Sequence, residues 1–147
     1  MTTERLELDA NTHEEIKALC AVGDQLAGER RFEEAIAEYN KAWGLVPEPK
    51  NNWMASTWIL AAIADACFLA GYKTSAREAL QYVMTCPEAI GNPFLHLRLG
   101  QVQLDAGEPD AAAEELIRAY MGAGKEIFEP EDPKYFEFLK SRANIPI

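Results

Sequence analysis

Apolar positions recur along most of the chain at steps of three and four, the period of a helix with one buried stripe. The stretch RRFEEAIAEYNKAW, residues 30–43, is representative. Phe32, Ile36, Tyr39 and Trp43 fall within one apolar pattern, and Ala35 and Ala42 interrupt it seven residues apart. Alanine inside a buried stripe implies that another helix comes close at that point. The device recurs: Gly23 and Ala35 are twelve apart, as are Ala64 and Ala76, and Gly100 and Ala112. A turn separates the members of each pair, GERRFEE at 28–34, AGYKTSA at 70–76 and AGEPDAA at 106–112. Val22, Ile63 and Leu99 precede the first small residue, and Tyr39, Leu80 and Leu116 follow the turn. The offsets of 41 and 36 residues mark a repeat array of helical hairpins. One such hairpin cannot bury its apolar face alone, so neighbours must stack.

Local signals set the expected ends of these helices. THEE at 12–15 is a capping box, Thr12 with Glu15, and predicts the start of the first helix. Asn92 before Pro93, and Asp132 before Pro133, predict two further starts. Pro47 and Pro49 end the first hairpin. Asn51 or Asn52 is then expected to cap a third helix longer than usual, with Trp53 and Trp58 on its early turns. Seven helices result, three pairs and a final one whose Tyr135, Phe136, Phe138 and Leu139 can cover the last exposed face. The extra residues in PEPKNNWMAST, 47–57, fit either packing or binding.

With these residues in place, the chain resembles the tetratricopeptide repeat (TPR) family over residues 16–125. That family stacks 34-residue hairpins with small residues at the helix crossings. Repeat 1 matches at Leu19, Val22, Gly23, Leu26, Phe32, Ala35, Tyr39, Ala42 and Pro47. Repeat 2 matches at Leu60, Ile63, Ala64, Gly71, Tyr72, Ala76 and Leu80, with Val83 in place of the second small residue and Pro87 one position early. Repeat 3 keeps Leu99, Gly100, Gly107, Ala112, Leu116 and Ala119, but carries Gln103 and Pro109 where aromatics are usual. The resemblance implies an all-α, right-handed superhelix of three hairpins and a C-terminal capping helix in one domain. Its repeats would run over about 13–47, 52–87 and 92–124, with the cap at about 132–143.

Composition and charge narrow the function. The chain has 147 residues, 48% hydrophobic and 26% charged, enough for one domain with a real core. No apolar run approaches the ~20 residues of a membrane span, and the polar, acidic start MTTERLELDANTHEE is unlike a signal or transit peptide, so a cytoplasmic protein is expected. The net charge of −10 disfavours nucleic acid and anionic membranes and favours a basic partner. Acids outnumber bases 11 to 5 in residues 1–49 and 10 to 6 in 93–147, while 50–92 holds three of each. Cys20, Cys67 and Cys86 form no CxxC pattern, so buried thiols are expected, with no disulfide framework and no zinc site.

No catalytic motif emerges. His13 stands in an acidic first turn, and His96 falls at a position used for helix pairing. The pairs Glu33–Glu34 and Glu114–Glu115 read as solvated faces. GAGKEIF at 122–128 lacks the spacing and preceding strand of a phosphate loop. Neither an enzyme nor a cofactor is expected.

The TPR resemblance implies a concave groove lined by the first helix of each pair. The matching positions are Lys17, Cys20 and Asp24; Trp58, Ala61, Asp65 and Phe68; and Phe94, Leu97, Gln101 and Asp105. Trp58, Phe68 and Phe94 are either binding anchors or packing groups. The basic clamp with which one TPR subfamily holds chaperone carboxylates is absent, since its sites carry Cys20, Asp24, Asp65, Leu97 and Gln101. Asp24 and Asp65 would repel a carboxylate. The expectation is a module that binds and masks a basic protein or peptide, most sharply a bacterial immunity protein that neutralises a toxin. A chaperone for a secreted effector and a general scaffold are the alternatives, and the aromatic groove could also pair two copies.

Overall fold

The structure, a computed structural model, describes residues 8–144. It contains seven α-helices and two short 3-10 turns, and no strand among the described residues. The chain divides into two compact units, Met1–Glu88 and Ala89–Ile147. The first holds α1 (Ala10–Gly28), α2 (Phe32–Gly44), α3 (Met54–Ala70) and α4 (Lys73–Val83). The second holds α5 (Pro93–Asp105), α6 (Pro109–Ala123) and α7 (Pro133–Arg142). No described helix is long and apolar enough to cross a membrane.

The helices pair as antiparallel hairpins, α1 with α2, α3 with α4 and α5 with α6, and α2 also packs on α3. The small residues lie at the crossings. Ala35, Ala64, Ala76 and Ala112 are fully buried, as are Leu80 and Leu116 opposite them, and Tyr39 is buried. A Cβ placed on Gly23 would come within 2.5 Å of the Tyr39 ring, and one on Gly100 within 2.7 Å of Leu116. Hydrogen is therefore the only side chain these two crossings accept without a shift. Val22 departs from the pattern at 48% exposure, because its side of α1 has no described helix packed over it, whereas Ile63 and Leu99 are buried.

The three hairpin turns share one backbone design. Arg30, Gly71 and Gly107 all take positive φ, at 63°, 90° and 81°. The next N–H then reaches back to the preceding helix: Arg31 to the Leu26 carbonyl at 2.9 Å, Tyr72 to Cys67 at 2.8 Å, and Glu108 to Gln103 at 2.9 Å. This closure satisfies carbonyls that a helix end leaves open. Glycine holds the left-handed position at no steric cost in the second and third turns, and an arginine holds it in the first.

Two helix starts differ from the capping expectations. Helix α1 begins at Ala10, with Asp9 as its cap accepting from the Thr12 N–H at 3.3 Å. Aspartate caps as well as threonine, and using it adds a turn ahead of the THEE box. Asn51 and Asn52 do not cap α3. They lie in a 3-10 turn, Lys50–Asn52, and Trp53 stands at the cap position with no side-chain bond. At 17 residues α3 is longer than α2, α4, α5, α6 and α7, as expected, and only α1 with 19 residues exceeds it among the described helices. The 47–57 segment instead closes the end of α2. The Lys50 ammonium donates to the Trp43 and Val46 carbonyls at 2.6 and 3.0 Å and sits 4.6 Å from the centre of the Trp43 ring. A cation at a helix C-terminus is favourable both to the open carbonyls and to the macrodipole. Asn92 and Asp132 cap α5 and α7 from the residue before each proline.

Candidate partner-binding face

In the first unit, the repeat spacing brings Asp24 of α1 and Asp65 of α3 onto the same hollow. It measures about 340 Å³, and Phe32, Tyr39 and Leu69 line it together with the two aspartates. Asp24 is held in place from below. The Gly23 notch admits the Tyr39 ring, which is 3% exposed, and the Tyr39 hydroxyl donates to Asp24 Oδ1 at 2.7 Å. Burial first, and then this bond to a carboxylate, push the Tyr39 phenol well above its ordinary value. Burial and the nearby Asp24 charge raise the Cys20 thiol as well. Among the described residues, no lysine, arginine or histidine lines the hollow.

The other expected residues of this unit lie on the same two helices. Lys17 is exposed and sits 3.8 Å from Glu14. Trp58 is 36% exposed and meets His13 edge-on at 5.9 Å. Phe68 is half-buried, with the Lys73 ammonium 5.3 Å from its ring centre. A second hollow of about 460 Å³ is larger, but its one carboxylate, Glu33, is engaged by the Tyr72 hydroxyl.

In the second unit the expected residues lie mostly inside the packing. Leu97 is 1% exposed and Gln101 fully buried. Gln101 belongs to a polar cluster: Arg98 Nη1 donates to Gln101 Oε1 at 2.7 Å and to Glu131 Oε1 at 2.6 Å, and Gln101 Nε2 donates to the same Glu131 oxygen at 2.9 Å. Asp105 accepts from the Tyr135 hydroxyl at 2.7 Å and pairs with Lys134 at 3.2 Å. Phe94 is half-buried under the Arg98 guanidinium, 4.9 Å from its ring centre. The C-terminal segment thus engages Gln101 and Asp105 of α5, so these two face the chain's own tail.

Two solved structures share this arrangement of helices. One is the C-terminal TPR-containing domain of a Plasmodium falciparum FK506-binding protein, with a TM-score of 0.71 at 15% identity over 94% of this chain and 92% of that one. The other is the Yersinia enterocolitica type III secretion chaperone SycD in complex with a peptide of the translocator YopD, with a TM-score of 0.67 at 16% identity over 92% and 95%. The fold is TPR-like. No family model matches the sequence, and neither does any curated protein.

Within the TPR-like frame, two polar groups depart from the sequence expectation. Glu115 is not on a solvated face: it accepts from His96 Nδ1 at 2.6 Å, with its side chain 14% exposed. His96 is buried, and its Nε2 accepts from the Gly91 N–H at 2.8 Å, so both ring nitrogens are used to tie α5 to α6 and to the loop before it. The buried Arg98 was not legible as such, because an isolated arginine on a TPR-like helix reads as exposed. Its only hint is Glu131, 33 residues on, which nothing in the spacing links to it. Burial pushes the Cys67 and Cys86 thiols up, as expected of packing cysteines. Among the described residues no cluster of three or more His, Cys, Asp or Glu is placed to hold a metal ion.

Proposed function

We propose that this chain is a non-catalytic protein-binding module that masks a basic segment of a partner, using the α1–α3 face of its first unit. The observation that carries the reading is that Asp24 and Asp65, 41 residues apart in sequence, line one hollow. Apolar and aromatic groups beside it, Phe32, Leu69 and the half-exposed Trp58, supply desolvated contact area. The net charge of −10 would steer a cationic partner to the surface. In its sharpest form the module is a cytoplasmic immunity protein that covers the basic cleft of a toxin. A second reading, a chaperone for a secreted effector, is favoured by the SycD structure, in which a TPR-like chaperone holds a translocator peptide.

The test is recovery of a partner on the tagged chain, followed by affinity measurements across a salt series. The expected partner is basic, its association weakens with salt, and Asp24→Lys or Asp65→Lys weakens it further. Unchanged affinity in both variants would remove the acidic face from the account. Inhibition of a purified toxin separates immunity from chaperoning. Turnover of a substrate by the purified chain would overturn the non-catalytic reading.

A further inference from the structure

Both ring nitrogens of His96 are committed, and to different segments of the second unit. The side chain is buried, at 2% exposure. A carboxylate only accepts, so the Nδ1 that meets Glu115 Oε1 at 2.6 Å carries the proton. A backbone amide only donates, so Nε2 offers its lone pair to the Gly91 N–H at 2.8 Å. These partners fix a neutral imidazole as its Nδ1–H tautomer. An imidazolium has no lone pair left. A proton on Nε2 would face the Gly91 N–H, donor against donor, and burial keeps water from replacing the lost bond. The loop and the proton therefore compete for one lone pair.

The charges around the ring favour the proton as pH falls. From α6, Glu115 faces Nδ1 with its side chain 14% exposed, and it also pairs with Arg118 at 3.3 Å. The Arg118 side chain is 56% exposed, so solvent screens its charge. A carboxylate in contact stabilises the charged ring. On α5 itself, the Arg98 guanidinium lies on Glu131. The 3-10 turn Lys125–Phe128 also packs on α5, and among the described residues neither its Lys125 nor its Glu126 bonds to the ring. The loop 89–92 carries no charge, and Glu88 precedes it in the chain. What the Gly91 bond holds is a short arc. On one side Ala89 is fully buried. On the other, the Asn92 side chain caps α5 by accepting from the Phe94 and Leu95 N–H groups. Between them Gly91 takes a φ of 95° and Ile90 stands 74% exposed. Apolar burial does little to hold Ile90, which leaves the N–H···N bond as the tie that a proton can cut.

We propose that His96 is an acid-sensitive latch: a proton on Nε2 displaces the Gly91 N–H, Glu115 holds the resulting imidazolium, and the Ile90–Gly91 arc is released while α5 stays capped. The latch lies in the second unit and is independent of the masking reading, which rests on the first.

The test follows the full ¹⁵N-labelled chain by NMR from about pH 8 to about pH 5, the range in which histidine changes charge. At the upper end a coupling across the hydrogen bond is expected between the Gly91 and His96 Nε2 nitrogens, with the ring in its Nδ1–H form. As pH falls, the coupling should vanish with the same midpoint as ring protonation. Protection of the Gly91 amide against exchange should drop at least about tenfold, while amides within α5 and α6 keep theirs. Glu115→Gln retains an acceptor for Nδ1–H and removes the charge, so the shared midpoint should move down by about one pH unit. His96→Gln removes the titration, and its loop should show no response to pH. A Gly91 amide equally protected at both ends, a ring that stays neutral throughout, or a midpoint indifferent to Glu115→Gln would each overturn the latch. So would a loop that still responds in His96→Gln, since a carboxylate such as Glu88 would then be the sensor. The measurements on the parent chain decide the matter if that variant does not fold.

Discussion

At the scale of single residues, two glycine-type positions carry opposite expectations. In a helix interior Gly→Ala ordinarily gains up to about 1 kcal/mol. At Gly100 the added methyl would meet Leu116 at 2.7 Å and the Ala112 carbonyl at 3.2 Å. The carbonyl cannot rotate away, so overpacking wins, and Gly100→Ala should lower stability by about 1–2 kcal/mol in urea unfolding. Arg30 holds a left-handed φ of 63° where the two later turns hold glycine. That conformation costs a non-glycine residue about 1–2 kcal/mol, partly offset by the greater unfolded-state freedom of glycine. Arg30→Gly should therefore raise stability by about 0.5 kcal/mol, read as a higher urea midpoint with unchanged slope. The buried phenols set the alkaline limit. Burial, then hydrogen bonds to Asp24 and Asp105, raise Tyr39 and Tyr135 above the ordinary value near 10. The folded chain keeps these protons where the unfolded chain has lost them. Their contribution is fully present below about pH 10 and is lost as pH rises from there through the raised folded values. Stability should fall with pH above about 10, and the double variant Tyr39→Phe/Tyr135→Phe should flatten that fall in a series of urea melts.

At the scale of elements, the C-terminal segment is the telling case. Its register on α5 is set by charge as much as by the apolar Tyr135 and Leu139. Glu131 is the partner of Arg98, whose side chain is only 6% exposed, and it also accepts from Gln101. Removing one member of a buried ion pair leaves the other uncompensated. Glu131→Ala should cost about 3 kcal/mol, and the double variant Arg98→Met/Glu131→Leu should cost much less. Hydrogen exchange locates the effect: the single variant should speed exchange in α7 and leave α1–α4 at their parent rates. The same reasoning explains why α1 starts at Ala10. A cap is chosen by which side chain reaches the open N–H groups, and Asp9 reaches them one turn ahead of the Thr12 box.

For the whole molecule the governing quantity is net charge. At −10 the chain would attract the basic partner proposed above over distances comparable to the Debye length. Steering acts on encounter and not on the bound state. Raising salt from about 50 to about 500 mM should slow association roughly tenfold and leave dissociation within about a factor of two, measured by stopped flow. An association rate indifferent to salt would take charge out of the recognition.

The periodicity and the small-residue notches in the sequence determined the helix pairing, the three crossings and the placing of Asp24 and Asp65 on one face. These follow from local rules, because a 3.6-residue period puts fixed positions on fixed sides and only glycine or alanine admits a close neighbour. The same rules carried Leu97 and Gln101 to an expected open face. Tertiary packing decided otherwise, since their exposure depends on what lies over α5, and the C-terminal segment that engages Gln101 starts more than twenty residues later in the chain. Burial of Arg98, recruitment of Glu115 by His96 and anchoring of Asp24 by Tyr39 were settled the same way. Each is a pairing of polar groups between different helices, and a hydrogen bond depends on position to a few tenths of an ångström, a precision that no spacing along one helix specifies.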